Sequence, residues 1–418
     1  MKNVRALAYL VLFISIIAYR NGHLYKNIIL KKRELPVGYY YAGDFTKDCT
    51  SFQLEGLKNC EDAAFWDVHD SEKTLIDRHL ILSCDPGRKA WNTVMGPLHN
   101  PEPHGALWLY TANDIPTRIT FTNYPKDHDF HPLGFDIWPS YDRNESNLYV
   151  TNHARESTVI EQFVLDPSNP TVARHIRTIS SPLFLSPNSI ALTSPNSFYV
   201  SNDHLMTRRL PIVGHVLPVI ESLLSLPLGF VLHVTLPFPV EPNVIIHPSV
   251  LFTPFANGVA LSPDGTTVAI ASSSMAQVRF YARNPATNQL THRTHTIDVP
   301  FAADNVRFTD DGTLLVTGHP HFPSLINLAA NKSEHSPSWA AAIPPLNIKV
   351  EIASDFDGDA PTSMNGLVAG VPGMKTVFQS DGQGFSSAST SLRDDRTGTF
   401  YVTGLYADKG FLVCRPPA

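Results

Sequence analysis

Two short segments of the sequence, residues 255–265 and 303–312, repeat one pattern of residue types. Each places an amide or a carboxylate before an alternating apolar strand, which then ends in an acidic turn closed by Gly. In register, Asn257 matches Asp304, and a third copy offers Asn188. Oxygen donors that recur at one position of a repeat are expected to meet at a common point, where they could hold a metal ion.

The candidate ligands combine two carboxylates with three amides: Glu61, Asn188, Asn257, Asp304 and Asn305. No Cys or close His pair accompanies them, and hard oxygen ligands suit calcium better than zinc or copper. Five protein ligands leave room in a calcium shell for a water and a substrate oxygen, which Lewis-acid catalysis needs. Because Asn and Asp at strand starts are also common turn formers, a turn-only role stays open for each of them.

Histidines supply the candidate bases. His153 ends a second strand near the predicted metal site, and the ordinary pKa of a histidine suits it to activating water. His131, His204 and His319 are comparable candidates, and each could instead be a structural residue. A Ser/His/Asp site is disfavoured, because no Gly-x-Ser-x-Gly elbow occurs in a strand-to-helix setting.

The elements that must position these residues are short strands in repeats. A weaker copy of the pattern at residues 132–139 puts Leu133 at the metal-ligand position, and degenerate units open near Glu61 and close near residues 385–403. About six units, at a spacing of roughly 50 to 80 residues, predict an all-β, six-bladed β-propeller. We assign it residues 49–414. The inner strand of each blade starts near the axis, so the ligands converge there.

One apolar insertion, near residues 206–247, interrupts the third unit. Its part at 210–236 is rich in Leu, Val, Ile and Pro, with a helix predicted at 219–226. Such a segment is expected to project as a lid or a membrane-contacting flap, or to pack as a helix on the propeller.

The N-terminus carries Lys2 and Arg5 before the apolar run 6–19, which predicts a short hydrophobic helix over residues 1–20 that acts as a signal peptide or signal anchor. The run is shorter than the roughly 20 residues that cross a bilayer, yet no cleavage site of small residues follows it, which favours retention as an anchor. Residues 21–48 form a lead-in. We therefore expect a secretory-pathway protein, secreted or membrane-anchored, with glycosylation at the sequons of Asn144 and Asn331.

The composition restricts the partners and the disulfide bonds that can be expected. The 418 residues are 43% hydrophobic and 17% charged, with a formal net charge of −6 and no basic cluster interleaved with aromatics, so nucleic acid is not an expected partner. Four cysteines in an exported chain suggest disulfides with three connectivities. Cys49 and Cys414 could clasp the termini, while Cys60 and Cys84 could either pair across a hairpin or remain free thiols.

At these residues the chain resembles the serum paraoxonase/arylesterase family, calcium-dependent six-bladed propellers that hydrolyse lactones and aryl esters. The resemblance runs from about Cys49 to Cys414, and its most specific parts are Glu61-Asp62, Asn152-His153, Asn202-Asp203-His204, residues 255–265, Asp304-Asn305 and His319-Pro320. It implies one catalytic calcium on the axis, held by the five ligands named above, and a disulfide between Cys49 and Cys414.

Two positions depart from the family pattern. The family's water-activating pair is two histidines, of which the second matches His153 and the first falls on Leu133. His131 lies two residues earlier, on the same face of an extended strand, and is the candidate replacement. The family's second, structural calcium uses the residue at Asp62 and a carboxylate where this chain has Ser189, which weakens or removes that second site.

The sequence therefore predicts a calcium-dependent hydrolase of a lipophilic lactone or aryl ester. Calcium would polarise the carbonyl, and His153 with His131 would activate water. The N-terminus and residues 210–236 are the expected contacts with a lipid surface. Two alternatives stay open: a strictosidine-synthase-like or gluconolactonase-like propeller enzyme, and a non-catalytic, calcium-stabilised propeller that binds lipids or proteins.

Overall fold

The computed structural model describes residues 2–41, 44–46, 49–111, 115–237, 244–346 and 374–416. The predicted N-terminal helix is present, and it leads through a π-helical segment into three short strands. These elements are α1 (Lys2–Arg20), the π-helix (Leu24–Leu30), β1 (Tyr39–Tyr41), β2 (Asp44–Thr46) and β3 (Cys49–Ser51).

In the described ranges no single helix has both the length and the apolar composition to cross a bilayer. The pair Leu7–Arg20 and Leu24–Leu30 meets those two criteria jointly, with a bend of 67° between its members.

Blades 1 and 2 are sheets of five strands each. Blade 1 has the strand order β10-β4-β5-β6-β7, and blade 2 has the order β8-β13-β12-β11-β9. Their strands are β4 (Cys60–His69), β5 (Leu75–Cys84), β6 (Ala106–Tyr110), β7 (Thr117–Arg118), β8 (Thr120–Thr122), β9 (Pro132–Ile137), β10 (Ser140–Tyr141), β11 (Ser146–Asn152), β12 (Val159–Leu165) and β13 (Val172–Ile179).

Blades 3 and 4 are four-stranded meanders in chain order, β14 to β17 and β18 to β21. The strands and the helical segments between them are β14 (Pro187–Ser194), β15 (Ser197–Asn202), a 3₁₀ turn (Val213–His215), α2 (Leu217–Leu223), β16 (Gly229–Thr235), β17 (Ile245–Thr253), β18 (Ala256–Leu261), β19 (Thr267–Ser272), a 3₁₀ turn (Ser273–Met275), β20 (Gln277–Arg283) and β21 (Leu290–Asp298).

Blades 5 and 6 both recruit strands from the N-terminal part of the chain. Blade 5 joins β22 to β25 with β1 and β2, and blade 6 joins β26 to β28 with β3. Their elements are β22 (Ala302–Phe308), β23 (Leu314–His319), α3 (Phe322–Ala329), β24 (Ser338–Ile343), β25 (Lys375–Ser380), β26 (Ala388–Asp394), β27 (Thr399–Gly404) and β28 (Phe411–Cys414). The predicted six-bladed propeller is thereby confirmed.

The apolar core is divided among the blade interfaces. Six clusters of buried apolar side chains occur in the described part of the chain outside the helices, and each joins one blade to the next around the ring. Trp66 belongs to the cluster between blades 1 and 2, and Phe280 to the cluster between blades 4 and 5. The middle strands of the blades, such as β15 and β19, are almost fully buried, whereas outer strands such as β21 are largely exposed.

The inner strands β4, β9, β14, β18, β22 and β26 contact one another in turn and close a ring around the axis. Two glycines permit this close approach. A Cβ on Gly258 would lie 2.7 Å from the Cα of Asn305, and one on Gly134 would lie 2.3 Å from the carbonyl oxygen of Asn188. Larger residues there would push neighbouring inner strands apart.

The two chain ends meet in blade 6. Strand β3 pairs with β28 in a register that places Cys49 opposite Cys414, and a disulfide joins them. Cys60 and Cys84 pair across β4 and β5 in a second disulfide, which resolves the alternative that the sequence left open. Two disulfides indicate an oxidising compartment, in agreement with the expected secretory pathway.

The insertion in blade 3 is helical, but it is shorter than the sequence indicated. Its helix α2 covers Leu217–Leu223, whereas we predicted residues 219–226. Strand β16, Gly229–Thr235, returns to the blade as its third strand and pairs with β15. The apolar composition of β16 reflects burial within blade 3. Part of the predicted stretch 206–247, residues 238–243, lies outside the described residues.

Candidate functional site

The five predicted ligands lie on inner strands around the axis, and none is more than 6% exposed. They belong to β4 (Glu61), β14 (Asn188), β18 (Asn257) and β22 (Asp304 and Asn305). Four of them line one cavity of about 410 Å³, and the fifth, Asn305, donates a hydrogen bond to Glu61 at 2.7 Å. The prediction that these side chains share one place in the fold is consistent with this geometry.

A β-bulge lies at each of these positions. The register between the first and second strands shifts at Glu61, at Asn188, at Asn257 and at Asp304-Asn305. A bulge turns the local backbone and re-aims the side chain beside it. The repeated sequence pattern is therefore the signature of a repeated bulge, which in blades 1, 3, 4 and 5 directs a polar side chain toward the cavity.

The amide groups are oriented by partners from the second strand of their own blade. Asn188 Nδ2 donates to Asp203 Oδ2 at 3.3 Å, and Asn257 Nδ2 donates to Ser273 Oγ at 3.0 Å. In blade 5, a ring nitrogen of His319 donates to Asp304 Oδ2 at 2.8 Å. Because these hydrogen bonds fix the amide nitrogens of Asn188 and Asn257, the amide oxygens remain free to bind a metal ion.

Four buried oxygens of the ligand set have no hydrogen-bond partner among the described residues: Glu61 Oε2, Asn188 Oδ1, Asn257 Oδ1 and Asn305 Oδ1. A buried polar atom without a partner costs roughly 1–3 kcal/mol. Three of these atoms belong to residues that line the cavity, and the fourth, on Asn305, belongs to the residue bonded to Glu61, so a cation held there would satisfy them. These residues therefore fit calcium, which prefers carboxylate and amide oxygens.

The electrostatics of Glu61 point in the same direction. Burial, followed by the charges of Asp62 and Asp304, raises the pKa of Glu61 well above its usual range. A divalent ion would offset that repulsion. No group of three or more His, Cys, Asp or Glu suited to a metal occurs in the described ranges, because three of the five ligands are amides.

Both ring nitrogens of His153 are engaged. Nε2 lies 2.8 Å from the carbonyl oxygen of Pro187, which can only accept, so Nε2 carries the proton. Nδ1 then accepts from the hydroxyl of Thr93 at 2.5 Å. Burial lowers the pKa of His153 to about 4. His153 lines the cavity in a neutral state, with its acceptor nitrogen already used.

His131 has the complementary arrangement. Its Nδ1 donates a hydrogen bond to Asp85 Oδ2 at 3.1 Å, and its Nε2 has no partner among the described residues. The ring packs 5.7 Å from that of Trp91, whose indole nitrogen donates to the carbonyl of His153. Both His131 and Asp85 line the same cavity as the ligands. His131 thus holds a free lone pair beside the candidate metal site.

The other two candidate bases have structural partners. His204 Nε2 bonds to Ser222 of α2 at 2.7 Å, and its ring packs against Phe255. His319 is tied to Asp304. Leu133 lines the cavity, at the place where a histidine was expected from the family pattern.

Sequence reasoning did not name Asp85, and it named Asp203 only within the family resemblance and without a role, although one signal could have assigned both. Asp85, His153, Asp203 and Ser273 each directly follow the second strand of blades 1 to 4. All four line the cavity. A search at that second repeat position, and not only at the first, would have identified the residues that orient the ligands and His131.

Much of the rest of the cavity wall is apolar, although Arg88, Lys89 and Asn92 also line it. The apolar part includes Trp91, Phe255, Phe322 and Leu325, together with Leu223 from α2. A larger cleft of about 940 Å³ lies elsewhere, lined by charged and polar side chains, and it contains none of the candidate ligands. Convergent polar groups within a largely apolar wall are typical of a ligand site, so we assign the function to the smaller cavity.

Comparison with known proteins shows the family of this chain. The family model described as Arylesterase matches residues 99–352, more than half of the chain. The chain belongs to the arylesterase family. Of the candidate ligands, those from blades 3 to 5 fall within the match and Glu61 precedes it.

Among the curated members of the arylesterase family, serum paraoxonase/lactonase 3 of Oryctolagus cuniculus is 24% identical to this chain, over 74% of the chain and 78% of the relative. Serum paraoxonase/arylesterase 1 of Homo sapiens is 26% identical over 53% and 59%, respectively. A solved gluconolactonase of Xanthomonas campestris aligns with a TM-score of 0.43 at 12% identity, covering 86% of this chain and 89% of that one. Membership supports an esterase or lactonase type of activity.

Proposed function

We propose that this arylesterase-family protein hydrolyses lipophilic lactones or aryl esters with the help of one calcium ion on the propeller axis. The observation that carries the proposal is the set of four buried, unpartnered oxygens, three on residues that line the cavity and one on Asn305, which is bonded to Glu61. Glu61, Asn188, Asn257, Asp304 and Asn305 would hold the ion. When bound, calcium supplies a Lewis acid that polarises the ester carbonyl and stabilises negative charge on its oxygen.

The water-activating base is best supported at His131. Its free Nε2 accepts a proton from water as the water oxygen bonds to the carbonyl carbon, and Asp85 stabilises the imidazolium that forms. The proton then passes from His131 to the leaving alkoxide or phenoxide as the ester C–O bond breaks. His153 supports this pair through its backbone, because its amide nitrogen donates to the carbonyl of His131 at 3.0 Å.

Substrate preference follows from the cavity wall. A volume of about 410 Å³ with largely aromatic and aliphatic sides accommodates a small aryl or alkyl ester. Trp91, Phe255 and Phe322 are the aromatic surfaces for such a group.

The test is hydrolysis of phenyl acetate and of aliphatic lactones, with calcium, after chelation, and after calcium is restored. We expect turnover that chelation abolishes and calcium recovers. Asp304→Asn should lower kcat/KM by about 100-fold, as for the loss of one group that stabilises developing charge, and should weaken calcium binding measured by calorimetry. Turnover unaffected by a chelator would refute the calcium-dependent mechanism, and bound calcium without turnover on any ester would favour a binding propeller.

We further propose that the protein rests on a lipid surface through α1 and the blade 3 insertion. Three hydrogen bonds join the end of α1 and the π-helix to the insertion: Arg20 to Ser225, Asn21 to Leu224 and Tyr25 to Leu223. Exposed apolar side chains continue across both, including Leu10, Phe13, Ile212 and Ile220. Such a surface suits insertion between lipid headgroups, next to a cavity that takes apolar substrates.

Flotation with phosphatidylcholine vesicles tests this contact. Ile212→Glu should reduce the bound fraction, because Ile212 is 91% exposed on the proposed surface. Ile115→Glu is the matched control, since Ile115 is 72% exposed but lies in blade 1, away from α2. Equal loss in both variants, or in neither, would count against this surface as the lipid contact.

A further inference from the structure

Arg307 forms a buried ion pair with Asp62, next to the candidate calcium ligands. Its Nη2 lies 2.5 Å from Asp62 Oδ2 and 3.0 Å from the carbonyl oxygen of Phe135. Asp62 follows Glu61 on β4, and Arg307 follows Asn305 by two residues on β22. The two strands thus make two polar contacts, Asn305 with Glu61 and Arg307 with Asp62, at adjacent positions.

Every acceptor position of Asp62 is occupied. Oδ1 accepts from the backbone nitrogen of Ala63 at 2.8 Å and from the hydroxyl of Thr390 at 2.9 Å. Oδ2 accepts from the backbone nitrogen of Phe135 at 3.2 Å and from Arg307. A carboxylate offers about four lone-pair sites. Asp62 is fully buried and therefore has no free lone pair for a metal.

A second carboxylate and a hydroxyl group lie around the ion pair of Arg307 and Asp62. Asp136 Oδ1 lies 4.0 Å from Arg307 Nη1, and Ser189 Oγ is already engaged by the backbone nitrogen of Val259 at 3.2 Å. The Arg307 guanidinium lies within 4.0 Å of the carboxylates of both Asp62 and Asp136, and a guanidinium is not deprotonated in proteins. The guanidinium is a permanent positive charge among buried carboxylates.

The resemblance implies a second, structural calcium at Asp62 and Ser189, and these residues do not fit one. Asp62 is saturated, a hydroxyl stands at Ser189, and a cationic side chain already touches Asp62 and the Phe135 carbonyl. We propose that the Arg307 guanidinium replaces the second cation, so that Asp62 binds no metal in this protein. A covalently attached charge then joins blades 1, 2 and 5 at the axis.

The proposed role of Arg307 is separate from the proposed hydrolase activity, and it predicts how many calcium ions each chain binds. Calcium bound by Glu61, Asn188, Asn257, Asp304 and Asn305 belongs to the proposed function, whereas a second ion at Asp62 is what Arg307 prevents. Chelation should empty the first site and leave the contact between Arg307 and Asp62 intact.

The experiment counts calcium ions per chain by native mass spectrometry and calorimetry. We expect one ion in the wild type, two in Arg307→Ser, where Asp62 and Asp136 lose their partner, and one in Arg307→Lys, which keeps the charge. The double variant Arg307→Ser/Asp62→Asn should return to one. The melting temperature of Arg307→Ser should rise with calcium over a wider concentration range than that of the wild type.

Two results would overturn the inference: a second ion in the wild type, or a folded Arg307→Ser protein that gains none. If Arg307→Ser does not fold, wild-type crystals grown with manganese decide the matter by anomalous scattering, since an ion coordinated by Asp62 contradicts the proposal and its absence there, with Arg307 in place, supports it. A count of zero in the wild type and one in Arg307→Ser would refute the proposed catalytic ion and leave the role of Arg307 standing.

Discussion

Single side chains carry the chemistry proposed for this protein, and each depends on the partner that fixes its protonation or its orientation. His131 and His153 share one cavity but differ in what their nitrogens touch. A carbonyl and a hydroxyl occupy both nitrogens of His153, whereas Asp85 occupies only one nitrogen of His131. The hydrogen-bond partners, rather than the histidines themselves, therefore separate the base from its neighbour.

Replacement of His131 tests that distinction. His131→Gln should lower kcat by about 100-fold or more, because it removes the proton acceptor, while bound calcium and the melting temperature stay close to the wild-type values. The measurement is kcat for phenyl acetate across pH, with the ion count as a second readout. The opposite result, a loss of about 100-fold in His153→Gln together with a His131→Gln variant that stays active, would assign the role of base to His153 instead.

Residues placed by the local repeat pattern could be predicted from the sequence, whereas residues placed by contacts between distant parts of the chain could not. The recurrence of Asn188, Asn257 and Asp304 at one repeat position identified the candidate ligands of blades 3 to 5, because each bulge has the same local sequence requirement. Arg307 could not be placed in the same way, since its partner Asp62 is distant in sequence and is chosen by the packing of blades. Asp85 stands at the second repeat position, but its pairing with His131 is also set by packing. The prediction of a reduced second metal site relied on Ser189 alone and did not anticipate the guanidinium.

Among the elements, the inner strands and the sheet of blade 2 show how secondary structure sets the site. The inner strands approach so closely that Gly258 and Gly134 are required between them. In blade 2, Glu161 of β12 is buried and hydrogen-bonded to His128 at 2.7 Å, to His175 at 2.9 Å and to Thr178 at 2.7 Å. The spacing of the inner strands and the buried charge of Glu161 are therefore the two features of the strands that the following substitutions test.

The substitution Gly258→Ala should disturb the ligand set. The added Cβ would lie 2.7 Å from the Cα of Asn305 and 2.8 Å from the carbonyl oxygen of Asp304, so β18 and β22 must separate. We expect a loss of about 1–3 kcal/mol in unfolding free energy and weaker calcium binding by calorimetry. Gly38→Ala, with no atom within 4 Å of the added Cβ, is the control. Equal behaviour of the two variants would contradict the close-approach argument.

The charge cluster of blade 2 should give stability a defined pH dependence. Burial alone would raise the pKa of Glu161, but hydrogen bonds led by those of His128 and His175 bring it down to about 2. The unfolded chain has the ordinary value near 4.3, so the stabilisation is present above that pH and is lost as the pH falls toward 2. The same Glu161 contact raises the pKa of His128, whose contribution is present below about pH 6.5 and is lost as the pH rises through its folded pKa.

Removing the cluster's carboxylate should remove most of this dependence. Glu161→Gln is expected to lose about 3 kcal/mol of unfolding free energy near pH 6, from a shift of about two pKa units. Urea unfolding between pH 3 and pH 8 measures it. Glu145→Gln, which breaks an exposed pair with Arg174, should cost less than about 1 kcal/mol. A wild-type profile as flat as that of Glu161→Gln would refute the assignment.

For the whole molecule, closure of the ring depends on the two ends of the chain. Strand β3 completes blade 6, and the disulfide Cys49–Cys414 spans 365 residues of sequence, against 24 for Cys60–Cys84. Six blades were predictable because each repeats the same meander. The two further strands that β1 and β2 add to blade 5 were not, since a lead-in without the repeat pattern carries no signal of its partner.

The two disulfides should differ in their contribution to stability. On the chain-entropy model, the longer loop contributes about 6 kcal/mol and the shorter one about 3 kcal/mol. The paired variant Cys49→Ser/Cys414→Ser should therefore lower the melting temperature more than Cys60→Ser/Cys84→Ser does, as measured by calorimetry. A larger effect of the second variant would show that local packing, and not ring closure, dominates.

The pairing of β3 with β28 also governs biosynthesis. The ribosome makes β3 among the first strands and β28 among the last, so a nascent chain carries an open sheet edge and an uncovered apolar blade face until translation ends. A premature stop within the final strand would leave every earlier repeat intact and still prevent the circle from closing. Quality control in the secretory pathway should therefore retain such truncated chains, however small the missing piece.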